Sequence, residues 1–447
     1  MLVGSQNADG IQTEKHSLIP QQRRCKHIEA YIMLVRQYIH QRLHQYYSQA
    51  AHSVVGGIAD DAPIAFGRIW GGAWGWRRML YDQWYNFNNG QWLTPTELFQ
   101  PYYSQCIAEW IVGRIQAKEE EMLQHDPVPP AVVDIIEVGG GRGTNAVCIL
   151  NHLEKQYPTI FKERLGTYEL VDSSATLLEL QKERTTMHKR HMRFRQCDMN
   201  DVAEGKETLV ASVSSAEEQR RRHRIVLFCE VFDNLPHDLL SYRRGQYLQT
   251  ELLVDNNNTK PASSYQEIER PLTDPLLQQC LAVTHRHSSA VKNKDAGGWY
   301  PTVAIALLQH LAAAQCDVWA ADFDDLCTPR GAPLVTDMDG NDHPQYLLPP
   351  PPVVTPDNDT AATTTTTTCT DILFPTDFSL LAHSVAGCYP AYTTRVERQA
   401  EFVQRYPHLV DQTRLAAWWP SSYNPMVDDF VNCSVLTMEH HADDGAV

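Results

Sequence analysis

The chain has 447 residues, 43% of them apolar and 21% charged, which suits a globular protein and excludes wholesale disorder or a fibrous repeat. One hydrophobic core rarely grows past roughly 250–300 residues, so more than one unit is expected. Acids outnumber bases 54 to 38, for a formal net charge of −16, which argues against a partner held through nucleic-acid phosphates.

Residues 1–25 are polar and read as a loose N-terminus. The first 27 residues hold Lys15, Arg23, Arg24 and Lys26 against Asp9 and Glu14, a poor match to an Arg-rich, acid-poor mitochondrial presequence. Over residues 26–50, Ile28, Tyr31, Ile32, Val35, Ile39, Leu43 and Tyr46 recur at helical spacing and predict one long amphipathic helix. Residues 65–92 are rich in glycine and tryptophan, with Trp70, Trp74, Trp76, Trp84 and Trp92, the composition of a packing surface. Thr94, Pro95 and Glu97 have the spacing of an N-cap, a first helical residue and a capping-box acid. The helix they open is predicted to run to about residue 121, and residues 26–125 are expected to form a helical layer.

Residues 131–255 alternate short apolar runs with helical patterns. Strands are predicted at 131–138, 166–171, 192–195 and 224–229, and helices at 144–156 and 175–189. Such alternation predicts a parallel α/β sheet with ligands at the carboxyl ends of its strands. The first strand ends in Glu137-Val-Gly139-Gly140-Gly141-Arg142-Gly143-Thr144. Glycines at a strand-to-helix turn let a ligand approach the peptide atoms. A dinucleotide fingerprint needs a third glycine where Thr144 stands, and a phosphate-binding P-loop needs a lysine that is absent here. The acid-x-G-x-G-x-G pattern instead resembles motif I of class I S-adenosylmethionine (SAM)-dependent methyltransferases. Asp172, after the second strand, is placed to accept from ribose hydroxyls, and Asp198, after the third, from the adenine amino group.

Residues 204–223, which run into the basic stretch Arg220-Arg-Arg-His-Arg224, read as a solvated insertion. After the fourth strand come Glu230, Asp233 and Asp238, in Cys229-Glu-Val-Phe-Asp-Asn-Leu-Pro-His-Asp238. Residues 255–264 form a turn-rich linker, and 256–300 a smaller inserted lobe. The rest, 301–447, is predicted to complete the sheet, with a helix at 302–313, a strand at 317–323 and a last strand or helix after 373–378. A proline- and threonine-rich insertion at 349–370 has no means of packing.

The pair Glu-x-Gly-x-Gly-Arg-Gly-Thr (137–144) and Glu-x-Phe-Asp-x-Leu-Pro (230–236) resembles the MidA family of class I SAM-dependent methyltransferases. Gly90-Gln-Trp-Leu-Thr-Pro-Thr-Glu97, Ala321-Asp322-Phe323 and Asp371 to Phe378 resemble further family blocks in the same order, so the likeness covers about residues 65–385. Cys229, Gln91 and Gly140 depart from the family's usual Asn, Asp and Pro. The resemblance implies a Rossmann-like sheet and SAM as cofactor, held by Glu137, Gly139, Gly141, Gly143, Thr144, Asp172, Asp198 and Glu97. It also implies methylation of arginine in a protein substrate, a mitochondrial location, and support of respiratory complex I assembly with a complex I subunit as the candidate partner.

Guanidinium stays protonated in water and is a poor nucleophile. Carboxylates must therefore hold its fork by bidentate hydrogen bonds, and Glu230 and Asp233 are the expected catalytic pair. Two rivals stay open: a non-catalytic assembly scaffold that keeps the SAM fold, and a nicotinamide oxidoreductase, disfavoured by Thr144. No metal site is expected, because His285, His287, His440 and His441 lack partners at zinc-like spacing. The eleven cysteines include no C-x-x-C pair, and no apolar run reaches the roughly 18 residues of a membrane span.

Overall fold

A computed structural model describes residues 31–49, 56–58, 62–86, 93–125, 131–210, 221–255, 264–285, 298–328, 331–337, 341–347, 370–417 and 423–441. The expected loose N-terminus, the glycine and tryptophan at 90 and 92, and nearly all of the 349–370 insertion lie outside them.

The central strands are apolar at both parities. In Val132–Val138, Val133 and Ile135 join one core cluster while Ile136 and Val138 join another. Arg222–Cys229 divides likewise, with Ile225 and Leu227 opposite Val226 and Phe228. Asp317–Phe323 sets Trp319 and Ala321 opposite Val318 and Ala320. Successive strand side chains point to opposite faces, so such strands must be covered on both sides. Helices Tyr102–His125 and Thr144–Gln156 cover one face. Pro275–His285, Thr302–Ala313 and Phe378–Ala386 cover the other.

Seven strands form this sheet, in the order Tyr392–Arg398, Cys433–His440, Asp317–Phe323, Arg222–Cys229, Val132–Val138, Leu165–Asp172 and Met192–Gln196. The last five are mutually parallel, and the first two are antiparallel to their neighbours. From Val132–Val138 the chain builds outward to one edge, then crosses back to add Arg222–Cys229 on the other side. That reversal opens a crevice at the carboxyl ends of the two strands. At the opposite end of the sheet, Asp317 is buried between Arg114 (Nε, 2.8 Å) and His223 (Nε2, 2.8 Å).

A second, antiparallel sheet orders Tyr31–Leu34, Gln246–Asp255, Asp238–Arg243 and Gly298–Tyr300, with Ser264–Pro271 also paired to Gln246–Asp255. A third joins Asp342–His343, Leu334–Asp337 and Thr370–Leu373. Helix Val35–Gln49 packs against both through Tyr38, Ile39 and Leu43, which cluster with Leu252, Val254, Val335 and Ile372.

Several boundaries differ from the sequence reading. The helix expected over 26–50 is a strand, Tyr31–Leu34, followed by a helix, Val35–Gln49. The strand forms because Tyr31 to Leu34 pair with Val254 to Glu251, a partner more than two hundred residues away. The helix expected from 94 to 121 is two, Pro95–Leu98 and Tyr102–His125, because Pro101 cannot donate an interior helical hydrogen bond. Lobe strands begin at Asp238, ahead of the expected 256. Trp76 is buried as expected of a packing surface, but Trp70 and Trp74 are exposed. No helix among the described residues is long and apolar enough to cross a membrane.

Candidate functional site

A cavity of about 460 Å³ occupies the crevice. Its floor is the glycine loop. Gly139 has φ +66°, and a Cβ there would lie 2.8 Å from a Val231 methyl, so only glycine lets the loop turn this tightly. Gly139, Gly141 and Thr144 line the cavity. Gly143 does not: with φ +81° it is the N-cap of helix Thr144–Gln156, so its work is the turn rather than the wall. The Thr144 hydroxyl donates to Glu97. Glu97 therefore faces the loop instead of closing a capping box, while the Thr94 hydroxyl accepts from the Glu97 amide at 3.3 Å as the N-cap.

Glu137 is buried with both oxygens occupied, accepting from Asn145 Nδ2 (2.9 Å) and the Tyr168 hydroxyl (2.6 Å). Burial pushes its pKa up against those two bonds. It ties the strand to the helix that follows the loop. Asp172 accepts from the Ser174 amide (2.9 Å) and Gln181 Nε2 (3.1 Å). Ser174, not Asp172, caps the next helix, so Asp172 stays at the cavity wall, where burial lifts its pKa to about 6. Asp198 caps helix Met199–Ala203 through the Asn200 amide (2.8 Å) and pairs with His40 Nε2 at 2.7 Å. Burial opposes ionisation of Asp198, but the His40 bond outweighs it, and the same bond raises His40.

The opposite wall is a cluster of carboxyls, with Glu230, Asp233 and Asp371 lining the cavity and Asp322 behind Asp233. Glu230 holds φ +55°, a conformation that costs a non-glycine residue of order 1 kcal/mol or more. Its amide donates to the Ala321 carbonyl at 2.8 Å, anchoring that turn to the neighbouring strand. The Asp233 amide donates to Asp322 at 2.9 Å. Asp371 accepts from Asn234 Nδ2 at 2.8 Å and from the Tyr47 hydroxyl at 3.5 Å. Burial, then mutual repulsion with Asp322 and other acids, holds Glu230 and Asp233 well above the usual carboxylate range. Burial brings Asp322 and Asp371 to about 7. A cationic ligand beside these acids favours their ionised forms and is stabilised by them in turn, so the wall suits a ligand carrying positive charge.

The structure thus brings Glu230 and Asp233 to the same cavity as Glu97, Glu137, Gly139, Gly141, Thr144, Asp172 and Asp198. Sequence reasoning assigned no role to Asp322, Asp371, His40 or Tyr47. Asp322 and Asp371 sit in blocks that carried the family likeness, a signal that could have found them. His40 and Tyr47 looked like ordinary positions of an amphipathic helix.

Residues 106–392, more than half of the chain, match the model of a family described as "Putative S-adenosyl-L-methionine-dependent methyltransferase". The chain belongs to this methyltransferase family. The methyltransferase is also similar in fold to a Burkholderia thailandensis protein whose crystal structure holds S-adenosyl-homocysteine. That likeness has 14% identity and a TM-score of 0.52, and covers 92% of this chain and 88% of the other. A native structure from Burkholderia thailandensis, of the same superfamily, matches with 14% identity and a TM-score of 0.46, over 76% of this chain and 80% of the other. No curated protein matches the sequence of the methyltransferase. The cofactor is SAM, and the cavity suits it: glycines expose peptide groups, Asp172 offers a carboxylate without serving as a cap, and the acidic wall suits a sulfonium.

Proposed function

We propose that this methyltransferase transfers a methyl group to an arginine side chain of a protein substrate. The observation that carries the reading is the carboxyl cluster facing the glycine loop across one cavity, with buried Asp233 and half-buried Glu230 on its wall. Gly139, Gly141, Thr144, Asp172 and Asp198, with Glu97 and Glu137 behind them, hold and orient the cofactor. SAM supplies an electrophilic methyl on a sulfonium sulfur. Glu230 and Asp233 accept hydrogen bonds from the guanidinium fork and localise electron density on one nitrogen. That nitrogen loses one proton as it gains the methyl, and a carboxylate with a raised pKa is suited to take it. The rest of the work is positioning two reactants in one cavity. The MidA likeness extends the proposal to a mitochondrial protein, a subunit of complex I, as substrate.

Glu230→Gln tests the reading. SAM affinity should stay within a few-fold, while methyl transfer to protein, followed by mass spectrometry of methylated peptides from a mitochondrial extract, should fall by about 10²-fold or more. Unchanged turnover would remove Glu230 from the reaction. Methyl groups found only on other residue types would overturn the arginine assignment.

A further inference from the structure

A second cavity, of about 860 Å³, lies back to back with the first. Neighbouring residues face opposite cavities along several segments: Pro236 lines the first and His237 the second, Phe323 the first and Asp324 the second, Leu373 the first and Phe374 the second. The second cavity has its own built interior. His237 is only 4% exposed, and its ring stacks flat on Phe374 at 4.0 Å between centroids. Its Nδ1 bonds the Leu235 carbonyl at 2.7 Å, so that nitrogen carries the proton. Nε2 is then an acceptor, and it has no partner among the described residues. Trp299, 5.1 Å from Phe374, adds an aromatic face. Asp325 and Glu401 stand exposed at the rim, each with one oxygen accepting from a backbone amide (Cys327, 2.7 Å; Arg398, 3.1 Å), whereas Asp324 is paired with Arg398, which also lines the cavity, and Glu397 with Arg405.

We propose that this second cavity binds a basic side chain of the substrate protein, one flanking the methylated arginine. The inference rests on the protein-arginine reading of the first cavity and specifies its substrate class: a segment with two cations a few residues apart. An N–H donor meets His237 Nε2, the cation lies against Trp299, and Asp325 and Glu401 supply the opposing charge at the rim. A substrate segment passing over the edge of the wall that the two cavities share would present one cation to each, so the second contact adds affinity without new chemistry.

Fluorescein-labelled glycine peptides provide the test, bound to the full chain in saturating S-adenosyl-homocysteine and read by anisotropy. One series carries two arginines separated by one to five glycines, and its controls replace the second arginine with citrulline, which has the same shape without the charge. At one spacing the two-arginine peptide should bind about tenfold tighter than its control, a modest gain for a partly desolvated cation on an aromatic face. Asp325→Asn and His237→Phe should each reduce that preference to less than about threefold while leaving control-peptide and S-adenosyl-homocysteine affinities unchanged. Asp325 is on the rim, so its variant carries the test even if His237→Phe lowers the melting temperature. Equal binding of both peptides at every spacing overturns the second site and leaves the arginine reading standing. A preference that survives both variants overturns the assignment to this cavity. Failure of both peptides to bind, with S-adenosyl-homocysteine still bound, overturns the arginine reading and the second site together.

Discussion

Asp371 shows how much charge chemistry one residue can bring to this site. It enters the cavity from Thr370–Leu373, a strand outside the main sheet, with its carboxyl oriented by Asn234 and Tyr47. Asp371→Asn should lower turnover about tenfold or more, since it removes one acceptor from the wall that faces a cation, with SAM affinity within about twofold. The pH dependence follows from the same group. Asp322 and Asp371 hold their protons to about 7 in the folded protein, against about 4 in an unfolded chain. The folded state therefore binds more protons across that window, so these groups make the cofactor-free protein lose stability as pH rises from about 4 through about 7. Urea denaturation at a series of pH values should show that decline, and Asp371→Asn should remove part of it. Turnover, which needs the carboxylates ionised, should climb through the same window. Asp317 has the opposite sign. His223 and Arg114 outweigh burial and lower its pKa to about 2, so its contribution is present above about 4 and is lost as pH falls through about 2.

At the scale of elements, the strand-loop-helix unit from Val132 to Gln156 was legible because each part is determined locally. Apolar residues at both parities specify a buried strand, and a glycine run specifies the turn. Gly139→Ala tests the turn. Its methyl group would stand 2.8 Å from Val231 at a positive φ, so SAM affinity should fall by about tenfold or more, with a stability loss of about 1–2 kcal/mol. Calorimetric titration and thermal melting separate the two effects, and a wild-type Kd in the variant would show that the loop does not cradle the ligand. Strand Tyr31–Leu34 was not legible. Its residues fit a helical period and become a strand only when Gln246–Asp255 offers a ladder. Cys433–His440 and Tyr392–Arg398 were missed for a related reason. Their pairing spans 34 residues of intervening chain, 399–432, and no turn signal joins them.

At the scale of the whole molecule, the chemistry and the stabilising charges sit at opposite ends of one sheet. The residues proposed to hold cofactor and substrate gather at the carboxyl ends of the strands. At the other end Arg114 ties Asp317 to Glu439, at 2.8 and 3.0 Å, joining a helix to two strands. Arg114→Met should destabilise the fold by about 1–3 kcal/mol, because it removes one of the two cationic partners of a buried carboxylate and leaves His223 to hold it, and should leave SAM affinity of the folded fraction unchanged. Urea denaturation with parallel ligand titration measures both, and a loss below about 0.5 kcal/mol would place the pair among the energetically idle ones. The sequence by itself determined the parallel strands, the glycine loop and most acids of the cavity, because period, turn chemistry and strand ends are properties of a few consecutive residues. Tertiary structure decided how Asp322 and Asp371 pack against Glu230 and Asp233, that His40 reaches Asp198, and that a second cavity lies behind the first. Those outcomes depend on which distant segments pack together, and burial, which sets the charge state of every acid in the wall, exists only once they have packed.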